Sequence, residues 1–147
     1  RATAIHAAIQ GSFSGEVISE DYLPYTQAVG TALLDHLLID GSVKAEETIL
    51  RSDYGGKRDL HCNGVTLDFK TKEFGEDHKK LAWDEHCIQL AAYREPGDRC
   101  ANVFVSVNNP GLVVIHEWKK EELERGWRMF LALKDYWYAR TGLKRDT

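Results

Sequence analysis

Apolar and polar residues alternate most clearly on either side of Asn63-Gly64, where residues 57–62 and 65–71 each read as a strand. An Asn-Gly pair between two such runs is the strongest short signal for a hairpin closed by a type I′ turn. Upstream, residues 2–10 read as a short helix with Ile5, Ala8 and Ile9 on one side, ended by the Gly-rich stretch 11–15. Pro24 opens a longer helix, in which Ala28, Val29, Ala32, Leu33, His36 and Leu37 recur at helical spacing until Asp40-Gly41. Residues 43–51 complete the first half as a strand, weakened by Ala45-Glu46-Glu47.

Downstream of the hairpin, 73–80 is a charged loop and 81–94 a helix stopped at Pro96-Gly97. Two apolar runs, 102–107 and 112–118, read as buried strands around the turn Asn108-Asn109-Pro110-Gly111. The helix 120–140 closes the chain, with Trp127, Phe130, Leu131, Leu133, Lys134 and Trp137 spread over its faces, so only part of it need be buried. The order α-α-β-β-β-α-β-β-α predicts one α/β domain of the α+β type over residues 1–147. Its core would be a central mixed sheet of about five strands flanked by helices.

The hairpin register carries the chemistry. With Asn63-Gly64 as the turn, Cys62 faces Val65, Leu60 faces Leu67, and Asp59 faces Asp68. Directly opposed residues share a face with Cβ atoms roughly 4.5–5.5 Å apart, and like charges at that distance weaken a sheet. A divalent cation between the two acids turns the repulsion into binding, since Mg²⁺ takes carboxylate oxygens and keeps several waters. Lys70, two residues beyond Asp68, points to the same face.

Composition narrows the class. At 147 residues, 43% hydrophobic and 29% charged, the chain has the make-up of a soluble globular domain. It contains neither an apolar run of membrane-spanning length nor a signal-peptide pattern, so no membrane partner is expected. It starts at Arg1 rather than Met, which fits a domain cut from a longer protein. Three widely spaced cysteines, Cys62, Cys87 and Cys100, argue against a disulfide framework and fit a reducing cytoplasm. His61-Cys62 and His86-Cys87 suggest zinc, but neighbours on a strand face opposite ways, and buried inert thiols are the better account. A net charge of −4 weighs against a bulk electrostatic nucleic-acid binder. It leaves room for an enzyme that meets phosphates through metal ions and a local basic patch. Lys57, Arg58, Lys70, Lys72, Lys79 and Lys80 gather around the hairpin and its following loop.

Gly56-Lys57-Arg58-Asp59, Leu67-Asp68-Phe69-Lys70-Thr71 and Gln89-Leu90-Ala91-Ala92-Tyr93, in that order, resemble the PD-(D/E)xK nuclease superfamily. The likeness is to its RecB-like branch, which includes phage-type recombination exonucleases. Thr3-Ala4-Ile5-His6 resembles the leading motif of that branch, with Ala2 where the pattern has Gly. The resemblance spans Thr3 to Tyr93. It implies a restriction-endonuclease-like core and a Mg²⁺- or Mn²⁺-dependent deoxyribonuclease, an exonuclease of recombination, repair or phage replication that works on DNA beside a recombination or replication partner protein.

By the same resemblance Asp59 and Asp68 hold the metal, joined by His6 and the backbone carbonyl of Phe69. Lys70 orients or activates the attacking water and offsets charge at the phosphate. Gln89 and Tyr93, four apart on one helix face, contact nucleic acid or brace the site. Lys72 would reach phosphate, and Glu47 would supply a further acid. A four-cysteine iron–sulfur cluster, present in some members, has no cysteine set here. The competing readings are an endonuclease on the same core and a nucleic-acid-binding domain without catalysis.

Overall fold

The computed structural model describes residues 1–36, 38, 39, 43–50, 55–62 and 64–142, without the side chains of 43–50 and 55–58. Five strands lie across one sheet in chain order: β1 (Val43–Leu50), β2 (Gly55–Cys62), β3 (Val65–Lys72), β4 (Arg99–Ser106) and β5 (Val113–Trp118). β3 and β4 run parallel, while the other neighbours are antiparallel. A parallel pair needs a crossover, and here it carries α3 (Asp84–Tyr93). The mixed sheet flanked by helices is the α/β class expected from the order of elements.

Period-2 alternation assigns the two faces. Leu60, Leu67, Phe69, Ala101, Val103 and Val105 meet Ile5 and Ile9 of α1 (Ala2–Phe13) and Tyr25, Val29 and Leu33 of α2 (Leu23–Asp35). Cys100, on the opposite face, meets Cys87, Leu90 and Ala91 of α3 and Leu123 of α4 (Lys120–Thr141). The central strands β3 and β4 are thus covered on both sides, and Asp68 and Asn102 are buried with them.

Tertiary contacts move several element ends. α1 continues past Gly11 to Phe13, whose ring stacks on Phe69 at 6.1 Å. α2 stops at Asp35 rather than near Asp40-Gly41, so His36 is the exposed C-cap instead of a position within the helix. α3 starts at Asp84 because Leu81 and Ala82 pack instead with Phe74 and Phe104. A 3-10 turn, Glu20–Tyr22, precedes α2. Leu37, Asp40, Gly41 and Asn63 lie outside the described residues. In α4 Leu123 and Gly126 are buried, whereas Leu133, Tyr136 and Trp137 are exposed. No described helix is long and apolar enough to cross a membrane.

Candidate active site

The hairpin has the register its sequence predicts: Cys62–Val65, His61–Thr66 and Leu60–Leu67 are paired. Gly64 takes φ 72°, the left-handed conformation a type I′ turn requires. One step beyond Leu60–Leu67 come Asp59 and Asp68, and their carboxyls are within hydrogen-bonding reach of each other. There the Phe69 amide donates to the Asp59 side chain, N to Oδ2 2.9 Å.

Residues from both sides of the sheet converge on this pair. From α1, His6 Nε2 lies 3.2 Å from Asp59 Oδ2, and Gln10 donates through Nε2 to Oδ1 at 3.0 Å. His6 and Gln10 are four apart, one above the other on the helix surface. The His6 ring also sits edge-on to Phe69 at 6.3 Å, which holds it over β3. On the α3 side, Lys70 Nζ is 3.1 Å from Asp68 Oδ2 and donates to Gln89 Oε1 at 3.3 Å. Asp59, Asp68, Gln89 and Tyr93 line one small cavity of about 10 Å³, roughly the room for one water.

Burial is the leading influence on both acids, and the two respond differently. Burial, reinforced by the hydrogen bond and charge of Asp59, pushes the Asp68 carboxyl up to about 7 against partial relief from Lys70. Burial would raise Asp59 too, but the hydrogen bonds from His6, Asp68 and the Phe69 amide together bring it below the ordinary carboxylate value. The Asp59 hydrogen bond in turn raises His6. Neighbouring acids pushed apart in this way are a common mark of a working site.

The donor set, two carboxylates and an imidazole beside an ammonium, is one that Mg²⁺ or Mn²⁺ accepts. A buried carboxyl pair held at hydrogen-bonding distance also fits a cation, which would remove the need for a shared proton. Among the described residues no group of three or more His, Cys, Asp and Glu side chains is already arranged around an ion position. As the side chains stand, the Asp59 oxygens are used by His6, Gln10 and the Phe69 amide.

Asp59, Asp68, Lys70, His6, Gln89 and Tyr93 are therefore brought together. Lys72 is on the same face of β3 as Lys70, its Nζ 5.3 Å over the Phe104 ring. Glu47 is on β1 opposite Arg58, and both side chains lie outside the described part. Cys62, Cys87 and Cys100 are buried and form no disulfide, and burial pushes Cys87 up to about 11 and Cys100 up to about 12. His61 is set against Asp98 and His86 against Phe104.

Three site residues have no place in the sequence motifs. Gln10 follows His6 by one helical turn, and that spacing was the available signal. Asn102 donates to Asp68 and accepts from Trp118, contacts set by strand pairing that nothing in their local sequence marks.

No family model matches the chain, and no curated protein matches it. Among solved structures, one titled "Crystal structure of SSO0001" is similar over 77% of this chain and 58% of that one, at 15% identity and a TM-score of 0.42. The chain thus spans little more than half the length of that neighbour, and a likeness this distant carries no argument about function.

Proposed function

We propose that this domain is a divalent-metal-dependent deoxyribonuclease with a restriction-endonuclease-like core, hydrolysing phosphodiester bonds from DNA ends. The observation that carries the reading is the convergence of Asp59, Asp68 and Lys70 at the end of one hairpin, with His6 closing the group from α1. A fold has no structural use for two acids at hydrogen-bonding distance on a buried strand face. A phosphodiesterase does.

Asp59, Asp68 and His6 would hold Mg²⁺ or Mn²⁺, with the Phe69 carbonyl as a further oxygen. When bound, such an ion lowers the pKa of a water and offsets charge on the phosphate. The protein's own contribution is positional. His6 and Gln10 fix Asp59 from one side, and Lys70 is held between Asp68 and Gln89 on the other. The Lys70 ammonium then meets a non-bridging phosphate oxygen as charge builds up during attack by water. Gln89 and Tyr93 wall the cavity beside it and brace the approaching strand.

The test is cleavage of end-labelled DNA in Mg²⁺ or Mn²⁺ by the parent, Lys70→Ala and Asp68→Asn. Loss of a single charge-stabilising group costs about 10²–10³-fold in rate, and both variants should fall at least that far. Equal, metal-independent activity in all three rules the proposal out. Linear DNA should be degraded and closed circular DNA spared; discrete fragments from circles would make the enzyme an endonuclease. Metal-independent DNA binding without cleavage would leave a binding domain.

A further inference from the structure

We infer that Asn102 and Trp118 are positioning residues for Asp68, forming a buried hydrogen-bonded relay that fixes the acid for its cation; this rests on the metal-site reading above. Asn102 is wholly buried on β4, where it is the register partner of Asp68 on one side and of His116 on the other. Its Nδ2 donates to Asp68 Oδ2 at 3.3 Å, and its Oδ1 accepts from the Trp118 indole N–H at 2.7 Å.

The chemistry of the three groups makes the chain directional. An indole nitrogen is a donor only, so it selects the oxygen end of the amide and turns the NH₂ end onto the carboxylate. With the indole absent, the amide could rotate and present its oxygen to Asp68, replacing an attraction by a repulsion. Trp118 is itself held: its ring packs edge-on against His116 at 4.3 Å, at 68° between planes. It also borders the cluster of Cys87, Leu90, Ala91, Cys100 and Leu123.

The consequence falls on one oxygen of Asp68. Lys70 and Asn102 both donate to Oδ2. Two donors on one oxygen restrict rotation of the carboxyl that would help hold a cation. Lys70 is partly exposed, on a long side chain with four rotatable bonds, so it alone restrains the carboxyl less than a buried amide does. Asn102 has no exposure to lose, and its partners come from strands locked in register.

Outer partners of metal ligands typically contribute 10–100-fold in affinity. The experiment is titration of Mn²⁺ into the metal-free protein, followed by the electron paramagnetic resonance of the free ion. Parent, Asp68→Asn, Asn102→Ala and Trp118→Phe are compared below their melting temperatures. Asp68→Asn should abolish the tight site, Asn102→Ala should weaken it by about 10-fold or more, and Trp118→Phe should weaken it in the same direction by less. A purely structural role would lower the melting temperature and leave Mn²⁺ affinity alone. Parent-like affinity in Asn102→Ala and Trp118→Phe, with the site lost in Asp68→Asn, overturns the relay and leaves the metal site standing. Parent-like affinity in Asp68→Asn overturns the metal site, and the relay with it. If Asn102→Ala does not fold, Trp118→Phe decides alone.

Discussion

Asp68 shows what a buried acid beside another acid costs the fold. Its carboxyl is raised to about 7 from an ordinary 3.8, by burial first and by Asp59 second. A folded state that keeps a proton the unfolded chain has released loses stability as pH climbs through that window. In chelator, the metal-free protein should therefore weaken between about pH 4 and pH 7. His6, raised above 6.5 by its Asp59 hydrogen bond, adds to the same trend, since its favourable contribution is lost as pH rises through its folded value. Asp59, lowered below 3.8, acts in the opposite sense but only under acid conditions, where its contribution is lost as pH falls. Asp68→Asn removes the largest of these penalties. In EDTA at pH 7.5, a value chosen above the window, this variant should melt higher than the parent while having no nuclease activity. A lower melting temperature for Asp68→Asn would mean that the acid pair is not under strain.

At the scale of elements, α3 and α4 pack at their closest where Gly126 meets Cys87 and Ala91. A Cβ built on Gly126 would lie 3.0 Å from Cys87 Sγ, 3.2 Å from the Cys87 carbonyl oxygen and 3.3 Å from Ala91 Cβ. Replacing a helical glycine by alanine ordinarily stabilises by about 1 kcal/mol, but here a backbone carbonyl blocks the space. Gly126→Val should cost about 1–3 kcal/mol, the range for overpacked cores, read as a shifted denaturation midpoint at unchanged slope. Because α3 also carries Gln89 and Tyr93, the same variant should loosen the cavity they line. The sequence announced this region only in part. Asn63-Gly64 fixes the hairpin register locally, because a two-residue turn leaves one pairing open, so Asp59 and Asp68 could be placed opposite each other without any tertiary knowledge. Helical spacing continues through His36 and Leu37 in the sequence although α2 itself ends at Asp35. Phe13 lay beyond the expected end of α1 because its stacking on Phe69 depends on a residue 56 positions away. Asn102 and Trp118 carry no local signal for the same reason, since their partners are chosen by the parallel β3–β4 and the antiparallel β4–β5 registers.

For the molecule as a whole, the ligands of the proposed ion come from separate parts of the chain. His6 is on the first helix, Asp59 and Asp68 are on two strands, and the anchor of Asp68 is on β4 and β5. The two acids are neighbours through a local hairpin, but His6 and the β4–β5 anchor are distant along the chain, so the complete ligand set exists only in the native state. Binding is then folding free energy. At a free Mn²⁺ concentration 100 times its dissociation constant, the gain is about 2.7 kcal/mol. For a chain of this length, each kcal/mol moves the midpoint by roughly 2–4 °C, so the parent should melt roughly 5–10 °C higher in saturating Mn²⁺ than in EDTA. Asp68→Asn should show no such rise, although its starting point in EDTA is higher. The two melting curves should therefore cross in order as metal is added: variant above parent without it, and parent gaining while the variant stays still. An equal Mn²⁺ response in both proteins would place the ion elsewhere on the surface and detach the facing acids from metal binding. The crossing is diagnostic because it needs both halves of the same cause, a repulsion built into the empty pair and a cation that relieves it.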